Sequence, residues 1–114
     1  MPESNIITNL ERAEVAKAIE GYRSLFEILP RIKPDSDDMA RVCKTTFETA
    51  FGLSALSRRK SAAFAKEPEL HNLVRDLAES LLLISGSPSG IDVRAFVVQP
   101  DALDEAARHL GLGA

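Results

Sequence analysis

Three places in the chain hold side chains able to do chemistry: the run Arg58-Arg59-Lys60, His71, and Cys43, which is the single cysteine. A row of cations can hold phosphates, an exposed imidazole can take up a proton or a phosphoryl group, and a thiol reacts once it becomes a thiolate. Each needs supporting surroundings. Polyanion binding draws on a broad positive field, yet 14 Lys and Arg stand against 17 Asp and Glu for a net charge of −3. Nucleic acid is therefore not an expected partner. Cys43 lies between Val42 and Phe47 on an apolar stripe with no cation to favour the thiolate, so it reads as core packing. One cysteine excludes an internal disulfide and any multi-cysteine zinc site. Lys44-Thr45-Thr46 lacks the glycine-rich turn that would aim backbone N–H groups at a phosphate. The Asp and Glu residues fall mainly on helix starts and outer faces, so no acid–base pair is set apart. No catalytic residue, metal site or cofactor is assigned, and the pattern favours a protein that is not an enzyme.

Two local resemblances remain. Gly52-Leu53-Ser54-Ala55-Leu56-Ser57 followed by Arg58-Arg59-Lys60 resembles the helix-turn-helix of bacterial regulators. That resemblance implies a second helix in the major groove with Arg58, Arg59 and Lys60 on phosphates. Glu48 stands where the pattern has a small residue, and the second helix's apolar anchors fall on Arg58 and Ser61. The alternative reading is a solvated basic face. Glu69-Leu70-His71 resembles the phosphoacceptor helix of two-component sensor kinases, which implies phosphotransfer through His71. Asn72 replaces the usual acid, and Val74 and Arg75 stand where a phosphotransfer intermediary carries lysine and glycine. The alternative is a surface histidine beside the Leu70, Val74 and Leu77 stripe.

The elements that must carry these residues read as helices. Thr8 with Glu11 three positions later forms a capping box, and Val15, Ala18, Ile19, Tyr22, Leu25, Phe26 and Leu29 give the first helix a broad apolar stripe that Pro30 ends. Ser36 or Asp35 caps a second helix, with Asp37 and Asp38 in its first turn and Met39, Val42, Cys43, Thr46, Phe47, Ala50 and Phe51 as its buried stripe. Gly52 either ends that helix or weakens its middle. A bend is expected there, with Ser54 capping a short helix through Leu56 to about Ala65. Pro68 suits the first turn of the next helix, whose core stripe is Leu70, Leu73, Val74, Leu77, Leu81 and Ile84. The run Leu81-Leu82-Leu83-Ile84 covers every side of a helix, so it belongs at the centre of the fold or in an interface. After the loop Ser85 to Gly90, the stretch Ile91 to Val98 is rich in β-branched residues with no strand elsewhere to pair with. It reads as an extended arm, a short helix, or a strand paired across a dimer axis. Asp101 after Pro100 caps a last helix with Leu103, Ala106, Ala107 and Leu110 inward, and Gly111 stops it.

At 114 residues, 45% of them hydrophobic and 27% charged, the chain is sized and composed for one domain over 1–114. The fold class is all-α: a small antiparallel bundle of four to five helices, with room for one short extended segment near 91–98. No signal peptide and no run of ~20 apolar residues stands out, so the expected setting is the reducing cytoplasm, away from membranes. The leading expectation is a small protein–protein interaction module: a regulator, adaptor or assembly factor. It would bury Leu81, Leu82, Leu83, Ile84, Ile91, Val93, Phe96, Val97 and Val98 against a protein partner or a second copy. DNA association through Arg58, Arg59 and Lys60, and phosphotransfer through His71, are the alternatives.

Overall fold

Local chemistry sets the helix boundaries. In the computed structural model, which describes residues 6–89 and 97–112, helix α1 spans Asn9–Ile28 and is opened by the capping box. The Glu11 N–H donates to Thr8 Oγ1 at 3.1 Å, and the Thr8 N–H donates to Glu11 Oε1 at 2.9 Å. A 3-10 turn at Leu29–Arg31 follows, with Pro30 in its opening positions, where its missing N–H costs nothing. The linker is then pinned, because Asp35 adopts a left-handed φ of 59° and its N–H donates to the Pro88 carbonyl at 2.8 Å. Ser36 caps α2 (Asp37–Arg59), its Oγ accepting from the Met39 N–H at 3.1 Å, and Asp37 and Asp38 lie against the positive end of the helix dipole.

Two expectations about boundaries are corrected. First, α2 runs unbroken through Gly52 to Arg59. A mid-helix glycine costs about 1 kcal/mol, and the burial of Ala50 and Leu53 on either side of it outweighs that cost. Second, the N-cap position of α5 (Pro100–His109) is Gln99 rather than Asp101, with no side-chain capping hydrogen bond, because Pro100 takes the first helical position and places Asp101 in the first turn. Between them lie the five-residue α3 (Ser61–Ala65), which buries Ala63 and Phe64, and α4 (Pro68–Ser85), opened by its proline as the pattern predicts. α5 ends in a Schellman motif: Gly111 sits at φ 73°, its N–H donates to the Arg108 carbonyl, and the Leu112 N–H donates to the Ala107 carbonyl at 2.8 Å.

Cross-helix contacts fix the directions. Cys43 approaches Ile84 while Ser57 approaches His71, so α2 and α4 are antiparallel. Glu11 meets Lys60, which sets α1 antiparallel to α2; Arg23 meets Asp101, and Asn9 and Leu112 line the same surface, which sets α5 antiparallel to α1. The result is an all-α, up-down-up-down bundle of α1, α2, α4 and α5, with α3 as a corner and no strand among the described residues. One core runs through it, with Val15, Tyr22, Phe64, Leu70, Val74 and Leu77 fully enclosed. No helix among the described residues is long and apolar enough to cross a membrane.

Of the stretch 91–98, only Val97 and Val98 are described; Ile91, Val93 and Phe96 lie outside the described residues. Val97 and Val98 pack against the core. The Val98 N–H donates to Ser80 Oγ at 3.3 Å, and its carbonyl accepts from the Tyr22 hydroxyl. Burial pushes the Tyr22 phenol above its ordinary pKa, while its hydrogen bond with Ser80 works the other way.

Candidate functional site

The basic triplet at the end of α2 is divided among different tasks. Lys60 is only 8% exposed, and its Nζ donates to the Ile6 carbonyl at 3.1 Å and lies 3.5 Å from Glu11 Oε1. Arg59 approaches the other Glu11 oxygen at 3.9 Å. Burial acts to raise the Glu11 pKa, but hydrogen bonding with Thr8 and the Lys60 ammonium outweigh it and hold the carboxyl below its ordinary value. Two of the three cations thus fasten the start of α1 to the end of α2. Only Arg58 has no ion-pair partner among the described residues. Because α2 is continuous, there is also no turn at Gly52 and no second helix led by Ser54, so the helix-turn-helix geometry is absent.

His71 is half-buried. Its Nε2 is 3.2 Å from Ser57 Oγ, and its ring tilts against Phe64 at 5.4 Å between centroids. A serine–histidine pair has the first two members of a nucleophilic relay, but no carboxylate among the described residues hydrogen-bonds the ring to orient it. Cys43 is buried with Sγ 3.9 Å from the Ile84 carbonyl, and burial pushes its thiol pKa up, away from reactivity. Among the described residues no three His, Cys, Asp or Glu side chains gather as a metal site.

The apolar residues divide more informatively. Leu81 and Ile84 are enclosed in the core, whereas Leu82 and Leu83 are each 42% exposed. Phe47 and Phe51, placed by their spacing on the buried stripe of α2, are instead 50% and 58% exposed. The stripe is narrower than the pattern suggested. Met39, Cys43, Thr46, Ala50 and Leu53 carry the burial, and each phenylalanine stands one position, about 100° of helix rotation, beyond one of them. The signal that would have found them is this offset: two large rings, each one position after a smaller buried residue, Thr46 or Ala50.

Phe47, Phe51, Ser54 and Arg58 follow spacings of four, three and four, so they form one row along α2. Ser54 and Arg58 line a groove of about 250 Å³ together with Arg75, Glu79 and Leu82 of α4, with Leu53, Val74 and Ala78 as its apolar bed. Thr45, Thr46 and Thr49 face α1 from the other side of α2. The phenylalanine row and the groove therefore share the outer side of the α2–α4 pair, turned away from α1.

No family model, curated protein or solved structure matches this chain.

The outer face itself has two ends. Antiparallel pairing sets Leu82 level with Phe47, which makes one end apolar. Ser57, Arg58 and His71 lie at the other, with Arg75 between the two and Glu79 on the outer lip. A second groove of about 350 Å³ opens between α1 and α2, floored by Tyr22, Leu25 and Leu81 and walled by Ala18, Gly21 and the three threonines.

Proposed function

We propose that this protein is a helical interaction module that works by burying the outer face of its α2–α4 pair against another protein or a second copy of itself. The observation that carries this reading is the row Phe47–Phe51, two large aromatic side chains one turn apart and at least half exposed, with Leu82 level beside them. Isolated exposed apolar residues are ordinary, but adjacent aromatic rings are the kind of anchor that carries binding energy when a partner desolvates them. Of the described residues among the nine singled out in the sequence for contact, Leu82 lines this groove, while Leu81 and Ile84 are enclosed in the core.

The alternatives draw less support. For nucleic acid, two of the three proposed phosphate contacts, Arg59 and Lys60, are engaged at Glu11. For phosphotransfer, the His71 nitrogen that would accept a phosphoryl group is engaged with Ser57.

The test pairs sedimentation of the purified protein with capture of binding proteins from its native cells, in wild type and in a Phe47→Ser/Phe51→Ser variant shown by circular dichroism to keep its helices. The reading expects self-association or a captured protein with the wild type, lost in the variant. A monomer whose captured set is the same for both would overturn it.

A further inference from the structure

The outer face is not uniformly apolar, and its charges choose among occupants. Arg58 and Arg75 line the same groove from opposite helices. Arg58 makes no ion pair among the described residues, and the Arg75 guanidinium is hydrogen-bonded only to the Asn72 side-chain oxygen of its own helix, at 3.1 Å. Arg12 is matched with Glu67, Arg23 with Asp101 and Asp104, and Arg41 with Asp38; Arg31 and Arg108, like Arg58 and Arg75, have no ion pair among the described residues, but only Arg58 and Arg75 line this groove. A chain with an overall excess of acid thus sets two guanidinium groups, unpaired with any carboxylate among the described residues, along one groove that Ser54 and Ser57 also line. Glu79 on the lip is the one acidic residue lining that groove, so the lining stays net positive.

We infer that the occupant of this groove is an acidic amphipathic segment of a partner protein, with one or more carboxylates between Arg58 and Arg75 and its apolar side chains on Phe51, Phe47 and Leu82. The inference rests on the interaction reading above and adds the chemistry of the partner. Charge complementarity decides it. A basic segment would meet two guanidinium groups of like charge, and a purely apolar one would bury them without partners, which costs more than it returns. The face also has the right length. Phe47 to Arg58 spans eleven residues at 1.5 Å each, about 16 Å or three helical turns. An amphipathic helix presenting apolar residues at three-four spacing and an acid at one end fits that row, and the guanidinium fork suits a carboxylate in two-point contact. A second copy of this chain fits less well, since the same lining on that copy offers only Glu79 as a carboxylate against two arginines.

The test uses the intact protein and three fluorescent synthetic helical peptides that share one leucine row. The first carries glutamates beside the leucines, the second glutamines, the third lysines. Anisotropy titration should show saturable binding of the glutamate peptide, weakening as salt is raised. Arg58→Glu/Arg75→Glu should reduce that affinity by roughly tenfold or more and favour the lysine peptide instead. Phe47→Ser/Phe51→Ser should remove binding of all three. If the glutamine peptide binds as tightly as the glutamate one and the arginine changes leave both untouched, the inference fails while the interaction reading stands. Concentration-dependent dimerisation lost on Phe47→Ser/Phe51→Ser, with no peptide bound, has the same consequence. Duplex DNA retained by wild type and released by Arg58→Glu/Arg75→Glu overturns the inference. So does the absence of saturable binding to the glutamate peptide at any concentration reached, and if the protein is then also monomeric and the phenylalanine changes alter nothing, the broader reading falls with it.

Discussion

The two sides of the α2–α4 pair are built from similar residues and end in different surroundings. On the inner side Ala50, Leu77 and Leu81 belong to the shared core and are almost wholly enclosed. On the outer side Phe47, Phe51 and Leu82 are of comparable or greater size and keep about half their surface. Burial in this bundle is therefore not set by hydrophobicity residue by residue. It is set by which flank of the pair the first and last helices cover, and they cover only one. The lesson for function is that the stability of the fold and the adhesiveness of its surface reside on opposite sides of the same two helices, so substitutions should separate them.

The sharpest separation contrasts Leu77→Ala with Phe51→Ala. Leu77 has no exposed surface, and truncating it leaves a cavity in the core, with an expected loss of about 2–5 kcal/mol in urea unfolding. Phe51 is already 58% exposed, and its truncation should cost about 1 kcal/mol or less, as at other surface positions away from core contacts. Equal losses at the two positions would show that the outer face is packed within the lone chain, which would break the comparison.

A second contrast sets the two ends of the basic triplet against each other. Lys60→Met keeps the aliphatic stem but removes the donor to the Ile6 carbonyl and the ammonium beside Glu11, with an expected cost of about 1–3 kcal/mol. Arg58→Met, two residues away, should leave stability nearly unchanged. The pH dependence sharpens this. Because the folded Glu11 pKa is depressed below its unfolded value, its contribution is fully present above the ordinary carboxyl range and is lost as pH falls through the lowered folded value. Urea midpoints measured from neutral pH down to strong acid should show this loss in wild type and a shallower one in Lys60→Met, where the ammonium no longer holds the carboxyl down. An unchanged acid limb in Lys60→Met would show that Thr8 alone sets the Glu11 pKa.

How much of this was legible in the sequence follows from the range of the interactions. The capping box at Thr8 and Glu11, the Ser36 cap, the opening Pro68 and the closing Gly111 all act within a few residues, and each does what its local pattern predicts. The all-α antiparallel class follows from the three-four stripes in the same way. The width of a stripe does not, because it depends on how many neighbours a helix has. Phe47 and Phe51 satisfy helical periodicity yet face outward, since nothing in α2 itself says that only one of its flanks will be covered. Likewise, nothing near Lys60 in sequence says that its ammonium will reach Ile6, fifty-four positions earlier. The basic triplet looked like one unit because its members are adjacent, but successive residues on a helix point about 100° apart, and three neighbours cannot share a face.

Gly52 offers the smallest and most direct test of the same point. Its position suggested a bend, but it sits exposed in the continuous α2, and a Cβ added there meets no atom within 4 Å. Nothing in the local packing requires a glycine, and its backbone is not in the left-handed region, so alanine should fit without strain. Gly52→Ala should then stabilise the protein by about 0.5–1 kcal/mol, since alanine loses less backbone freedom on entering a helix. Thermal unfolding followed by circular dichroism reads this as a small rise in Tm. A fall instead would mean that α2 does bend at Gly52 in solution, and the straight row from Phe47 to Arg58, on which the outer face depends, would be broken at its middle.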